Sequence, residues 1–270
     1  GISDAMIGMV PAFNQIALAV GIFLLLPLGD WFSNRALVTI FAVGQLAGLV
    51  IMALAGQFAL FVFGSTLLGF FTIAPYLIPA YVSKRVDPAQ LGQATALVTT
   101  GIIAGILLAR AGAGVIAEHA GWRTVYFVAC ILMLAITCVL PLIMQPRQTQ
   151  ETRPAGQSYF ALLGSVFTIT RASPDILVAG TIQALNFGIF LSVWMGIGLH
   201  LTSPEMGYGV DTVGYLAALT IFNLFTTPGL GKWADRVGAR RARAIVAVVQ
   251  FVGVCALFVT GHSLVLLILP

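Results

Sequence analysis

Long apolar runs separated by short polar corners make up the whole chain. Runs of about 20 residues without a charge match the hydrocarbon thickness of a bilayer. They recur at Met6–Leu28, Ala36–Ala55, Phe58–Val82, Asp87–Ala117, Thr124–Met144, Ile176–His200, Val213–Leu230 and Ala244–Gly261, and Ser263–Pro270 opens one more. The runs are continuously apolar and do not alternate with period two, which predicts helices and argues against a β-barrel. The expectation is an all-α, polytopic transmembrane bundle with eight complete spans and one partial. The fourth span has a marked start: Asp87 suits an N-cap and Pro88 the first turn.

One polar segment stands apart from the corners. "QPRQTQETRPAGQS", Gln145 to Ser158, has no apolar residue except Ala155. It separates an expected N-terminal bundle, residues 1–144, from a C-terminal bundle, residues 176–270. Residues 145–175 between them are read as linker plus the apolar stretch Tyr159–Arg171, either a helix at the membrane surface or the start of the sixth span. The chain opens without Met and without a signal-peptide pattern, and it reads as a fragment of a longer protein.

Composition agrees with this picture. Charged residues make up 8% of the chain and the mean hydropathy is +1.02, whereas a soluble domain carries about 25% charged residues. The formal net charge is +4, but the bases sit in corners between apolar runs, so they orient the chain in a membrane instead of binding nucleic acid. Cys130, Cys138 and Cys255 fall inside apolar runs and read as packing residues, and no metal-ligand spacing occurs. No cofactor is expected.

Assigning corners alternately to two sides places Arg35, Lys84, Arg85, Arg147, Arg153, Arg171, Lys232, Arg236, Arg240, Arg241 and Arg243 together, eleven of the 13 bases. The opposite side receives Arg123, and Arg110 lies within a span. This asymmetry makes the eleven-base side cytoplasmic and the expected location a cytoplasmic (inner) membrane, with the linker and the 231–243 corner inside the cell. Two corners on that side are similar: "LPLGDWFSNR", from Leu26, and "LGKWADRVGARR", from Leu230. Six spans separate them, as expected of two six-span halves repeated in parallel, truncated here at both ends.

The second corner resembles the signature of the major facilitator superfamily, roughly G-x-L-a-D-R-x-G-x-R-R, through Gly231, Ala234, Asp235, Arg236, Gly238, Arg240 and Arg241. The first corner keeps Leu28, Gly29, Asp30 and Arg35, but has Leu26, Trp31 and Ser33 where the signature has Gly, Arg and Gly. "LLARAGAG" followed by "GWR" is similar to the sugar-efflux-permease and drug/proton-antiporter-like branch. The resemblance implies spans two to nine of twelve, plus the start of ten. It also implies a cytoplasmic latch made of Asp30, Arg35, Gly231, Asp235, Arg236, Gly238, Arg240 and Arg241. Gly231 lets a neighbouring helix approach, Gly238 permits a turn at positive φ, and Asp235 suits a helix N-terminus. Topology alone demands the bases but neither the acid nor the glycines.

The expected substrate cavity draws on Asn14, Gln15, Thr66, Tyr76, Arg110, Gln183, Asn186, Trp194 and Asn223. Arg110 is the one ionisable residue well inside a span, where charge is costly and marks a cavity or partner. It would meet an anionic substrate group or a carboxylate elsewhere, and snorkelling is the competing reading. Gly44-x-x-x-Gly48 and Gly101-x-x-x-Gly105 read as close-packing pairs, and Pro75 and Pro79 as loosening the third span. No Asp or Glu lies in the core of a span, so protons as a coupling partner rest on the resemblance.

The expected function is secondary active transport of a small molecule by alternating access, directed to efflux of a drug-like or sugar-like compound. Its partners would be the substrate, protons and the bilayer, acting as a monomer and not as an enzyme. A non-transporting membrane sensor, or an inactive fragment of a transporter, is the alternative. A channel would use rings of residues from identical subunits, and a membrane enzyme would show an embedded acid pair, HExxH or a nucleophile with its base.

Overall fold

The computed structural model describes residues 4–87, 90–144, 158–219, 233 and 236–260. Among them there is no strand, and ten α-helices follow one another: α1 (Asp4–Leu25), α2 (Asn34–Leu54), α3 (Phe58–Phe71), α4 (Ala74–Ser83), α5 (Leu91–Ala120), α6 (Trp122–Ile143), α7 (Tyr159–Ala172), α8 (Pro174–Leu201), α9 (Val210–Leu219) and α10 (Ala239–Thr260). Six stretches among the described residues are long and apolar enough to cross a membrane: Met6–Gly29, Asn34–Leu54, Phe58–Ser83, Ala96–Ala120, Trp122–Ile143 and Pro174–Leu201. Large apolar side chains such as Leu142 and Phe160 stand more than three-quarters exposed, as a surface solvated by lipid requires. The chain is a multi-pass helical transmembrane bundle. Of the expected seventh span only the part up to Leu219 is described, and the partial ninth lies outside the described residues.

The residues cluster into two compact units, one within 1–99 and 120–179, the other within 100–119 and 180–270. In the first, α1, α2 and α3 pack at glycines. A Cβ on Gly21 would strike the Phe70 carbonyl, one on Gly69 the Asn14 carbonyl, and one on Gly44 the Phe71 ring. Gly48 and Gly64 face each other, and a Cβ on Gly48 would lie 2.8 Å from the Gly64 carbonyl oxygen. Lipid tails are as apolar as leucine, so burial alone does not drive helices together, and close backbone contact takes its place. The Gly44/Gly48 pair serves this purpose. Among the described residues nothing lies within 4 Å of a Cβ built at Gly101 or Gly105.

The span expected as one helix over Phe58–Val82 is broken. α3 ends at Phe71 with Thr72 at φ −76° and ψ 57°, and α4 restarts at Ala74 with Pro75 in its first turn. Pro75 has no N–H for the Phe71 carbonyl four residues back. The Gln45 side-chain amide donates to that carbonyl instead, at 3.0 Å, and the Ile73 amide also donates to it, at 2.8 Å.

The first corner turns through a 3₁₀ segment, Leu26–Asp30, with Pro27 in its first turn. Ser33 then caps α2, its hydroxyl accepting from the Ala36 amide at 3.3 Å. α7 is a helix of its own: Ser173 closes it and α8 begins at Pro174, so Tyr159–Arg171 is not the start of the sixth span. Its Tyr159 hydroxyl donates to the Leu24 carbonyl at the end of α1, and the Tyr159 ring meets Trp31 edge-on at 5.7 Å. Phe167 meets Phe23 the same way, also at 5.7 Å.

Gly48→Ala should lower the thermal stability of the full-length protein in detergent by about 1–3 kcal/mol, the usual range for overpacking a tight contact. Gly101→Ala should lower it not at all, since alanine is the better helix former. Equal melting temperatures for the two variants would contradict the packing role given to Gly48.

Candidate functional site

Three regions of the described chain hold polar groups where a bilayer interior or its edge would leave backbone groups unmet. The first is the side of the single outlying base. α2 ends at Leu54, and its cap residue Ala55 presents a free carbonyl. Arg123 donates to that carbonyl at 3.1 Å while its guanidinium lies 4.2 Å from the centre of the Trp122 ring. A cation at a helix C-terminus is favoured by about 0.3–1 kcal/mol. Gly121, at φ 82°, makes the turn that sets Trp122 and Arg123 there. Phe61, Trp122 and Tyr126 meet edge-on around them at 5.4–6.1 Å, and a cavity of about 340 Å³ opens between Ile7, Val10, Phe58, Phe61 and Trp122.

The second region joins α5 to α9. Gly114 and Gly214 meet backbone to backbone: a Cβ on Gly114 would lie 2.8 Å from the Gly214 Cα, and one on Gly214 would lie 2.9 Å from the Ala111 carbonyl oxygen. One turn beyond Gly114, the Glu118 carboxylate accepts from the Val210 amide, the first residue of α9, at 2.9 Å. A helix N-terminus has unpaired N–H groups and favours negative charge, and Glu118 supplies both acceptor and charge. Asp211 is occupied locally, its carboxylate accepting from the Thr212 amide at 2.8 Å.

The third region surrounds Arg110. α5 runs on to Ala120, three residues past the end expected from the sequence. Arg110 therefore sits ten residues, about 15 Å, from the helix end. Its guanidinium carbon lies 4.8 Å from the centre of the Phe190 ring and 4.9 Å from that of Trp194, both on α8.

The other cavity candidates are scattered. The Asn14 amide donates to the Ser65 carbonyl at 2.7 Å and sits 3.4 Å from its hydroxyl, an interhelical bond between α1 and α3. Gln15 is half-buried beside it. The Thr66 hydroxyl donates to its own helix at Val62 and borders an apolar groove with Phe13, Phe63 and Phe70. Tyr76 lines a second cavity of about 340 Å³ with Asn34, Lys84 and Ser165, at the end bearing the first corner. Asn186 donates to the Ile182 carbonyl of its own helix at 3.0 Å, and Gln183 is exposed. Asn223 lies outside the described residues.

Of the latch residues, Gly231 and Asp235 and the side chain of Asp30 lie outside the described residues. Gly238 has φ 91°, a conformation that favours glycine over any residue with a side chain, and its carbonyl accepts from the Ala242 amide at 3.0 Å. α10 begins at Ala239, so Arg240, Arg241 and Arg243 ride on its first turns and are not in a loop. Arg236, Arg240 and Arg241 are exposed, and Arg35 is half-buried at the start of α2. Bases at a helix N-terminus oppose its dipole, so the sidedness rule, not helix stability, accounts for them. Sequence reasoning missed Gln45 and Glu118. A lone amide between Gly44 and Gly48, and an acid one turn after Gly114, are the signals that were there to be used.

With this fold and these corners in view, comparison with known proteins gives the class. The sequence model of the Major Facilitator Superfamily matches residues 1–269. The chain belongs to that superfamily of membrane transporters. It is 27% identical over 235 residues to "Uncharacterized transporter YgaY" of Escherichia coli O157:H7, covering 87% of this chain and 59% of that protein. It is 27% identical over 247 residues to "Probable transporter SCO4007" of Streptomyces coelicolor, covering 89% of this chain and 55% of that protein. It is 25% identical over 168 residues to "Multidrug resistance protein MdtG" of Escherichia fergusonii, covering 59% of this chain and 39% of that protein. The chain thus spans little more than half the length of the first two. No solved structure matches it.

Glu118→Ala should uncap α9, at a cost of about 0.5–2 kcal/mol. Hydrogen exchange at residues 210–213 of the full-length protein should accelerate accordingly. Glu118→Gln keeps an acceptor oxygen and should retain part of the protection. Unchanged exchange in Glu118→Ala would show that the carboxylate does not hold this helix end.

Proposed function

We propose that the protein is a secondary transporter that exports a drug-like or sugar-like small molecule across the cytoplasmic membrane by alternating access. Two six-span halves would rock about the substrate, with residues 1–144 in one, 176–270 in the other and 145–175 connecting them. The observation that carries this reading is the seam between α5 and α9. Among the described residues two glycine backbones in contact and one carboxylate cap make this junction, and contacts of this kind can open and reclose.

Membership of the superfamily supports transport, and relatives named "MFS-type efflux pump" and "Multidrug resistance protein MdtG" support the direction. The excess of bases on the two similar corners puts that side in the cytoplasm, where the Gly231–Arg241 corner acts as the latch. Proton coupling, in this reading, falls to a group at the membrane interface or beyond this chain, because every Asp and Glu in the sequence lies at or outside the end of a span.

The full-length protein reconstituted in vesicles, with an imposed proton gradient and a panel of lipophilic drugs and sugars, should show flux of at least one compound. Asp235→Asn should abolish that flux at unchanged expression. No flux of any compound would favour the sensor reading, and undiminished flux in Asp235→Asn would remove the latch.

A further inference from the structure

We infer that Arg110, Phe190 and Trp194 form a recognition subsite for an organic monoanion: one carboxylate on a flat apolar body, an arenecarboxylate being the simplest case. This rests on the transporter reading and names the substrate class it leaves open. The three residues lie within their helices, away from the ends. Arg110 is ten residues from the end of α5, and Phe190 and Trp194 are eleven and seven from the end of α8 at Leu201, about 15, 16 and 10 Å along their helices.

The aromatic rings hold the cation without using up its hydrogen-bonding capacity. Both ring centres are within 5 Å of the guanidinium carbon, close enough for attraction between cation and π-face. A π-face offers no lone pair in the plane of the guanidinium, whose five N–H groups form a rigid fork matched to a carboxylate. Among the described residues no carbonyl or carboxylate takes those donors. At this depth an unneutralised charge is costly, so a guest bearing one negative charge is favoured there. A neutral guest leaves the fork unmet. A polyanion brings charges that this single cation does not balance.

The same rings give the guest's body a surface. Phe187 stacks on Phe190 at 6.1 Å, and Phe190 meets Trp194 edge-on at 6.4 Å, so three aromatic side chains line α8 beside the guanidinium. A flat apolar group packs against these aromatic side chains while its carboxylate engages the fork.

The test compares 2-naphthoate with its neutral counterpart 2-naphthamide, measured by calorimetry on the purified full-length protein in detergent. The acid should bind at least about tenfold more tightly, as expected of a hydrogen bond to a charged group. Arg110→Gln should bring the two ligands to the same affinity, Arg110→Lys should keep part of the difference, and Trp194→Ala should weaken both while preserving their ratio. Equal affinities in the unaltered protein overturn the proposal, and this comparison needs no variant to fold. They are also the result expected if a carboxylate from elsewhere in the protein already occupies the fork. A preference for the acid that survives Arg110→Gln overturns it as well. Binding is read without transport: selective binding with no flux would refute the transporter reading alone, and flux of other compounds without the preference would refute the subsite alone.

Discussion

Inside hydrocarbon a free backbone carbonyl or amide has no water to bond, and much of this structure answers to that constraint. At four places where a helix ends or breaks, a side chain from another element meets the exposed group. Gln45 takes the Phe71 carbonyl at the broken third span, Arg123 the Ala55 carbonyl after α2, Tyr159 the Leu24 carbonyl at the end of α1, and Glu118 the Val210 amide at the start of α9. Each such bond links two elements, so the devices that satisfy the backbone also fix which helix ends lie together.

The two similar corners show one topological task solved twice. The second turns at Gly238 with positive φ. The first has Ser33 at the equivalent place, in extended backbone, where its hydroxyl caps α2, so no glycine is needed. Trp31, standing where the signature has arginine, packs against Tyr159 of α7. Two of the three departures from the signature in the first corner, Ser33 and Trp31, are thus residues that cap the next helix and seat α7.

Apolar spans and the superfamily were legible in the sequence because each depends on local composition: charge-free length and a contiguous motif. The break at Thr72 was half legible. Pro75 and Pro79 announced a weakened helix, but the amide that repairs it sits on another span, 26 positions away. Glycine pairs were ambiguous for a related reason. Gly44/Gly48 and Gly101/Gly105 have the same spacing, and only the partner surface separates a packing contact from open space. Arg110 was found, and α5 continues beyond it through "EHA" to Ala120, past where the apolar pattern fades. Its aromatic neighbours on α8 could not be read at all, since no spacing in the chain relates residue 110 to residues 190 and 194.

Glycines bring helices into close contact within the first unit, and among the described residues the α5–α9 seam joins two helices through one glycine pair and one carboxylate. The central claim is that this seam opens and closes as the protein works. Spin labels at His119 and Tyr208, exposed positions flanking the Glu118–Val210 bond, report on it directly in the full-length protein in nanodiscs. The account predicts two distance populations, one with the seam closed and one longer, whose ratio changes when a transported compound is added. A single distance that no compound shifts would contradict it.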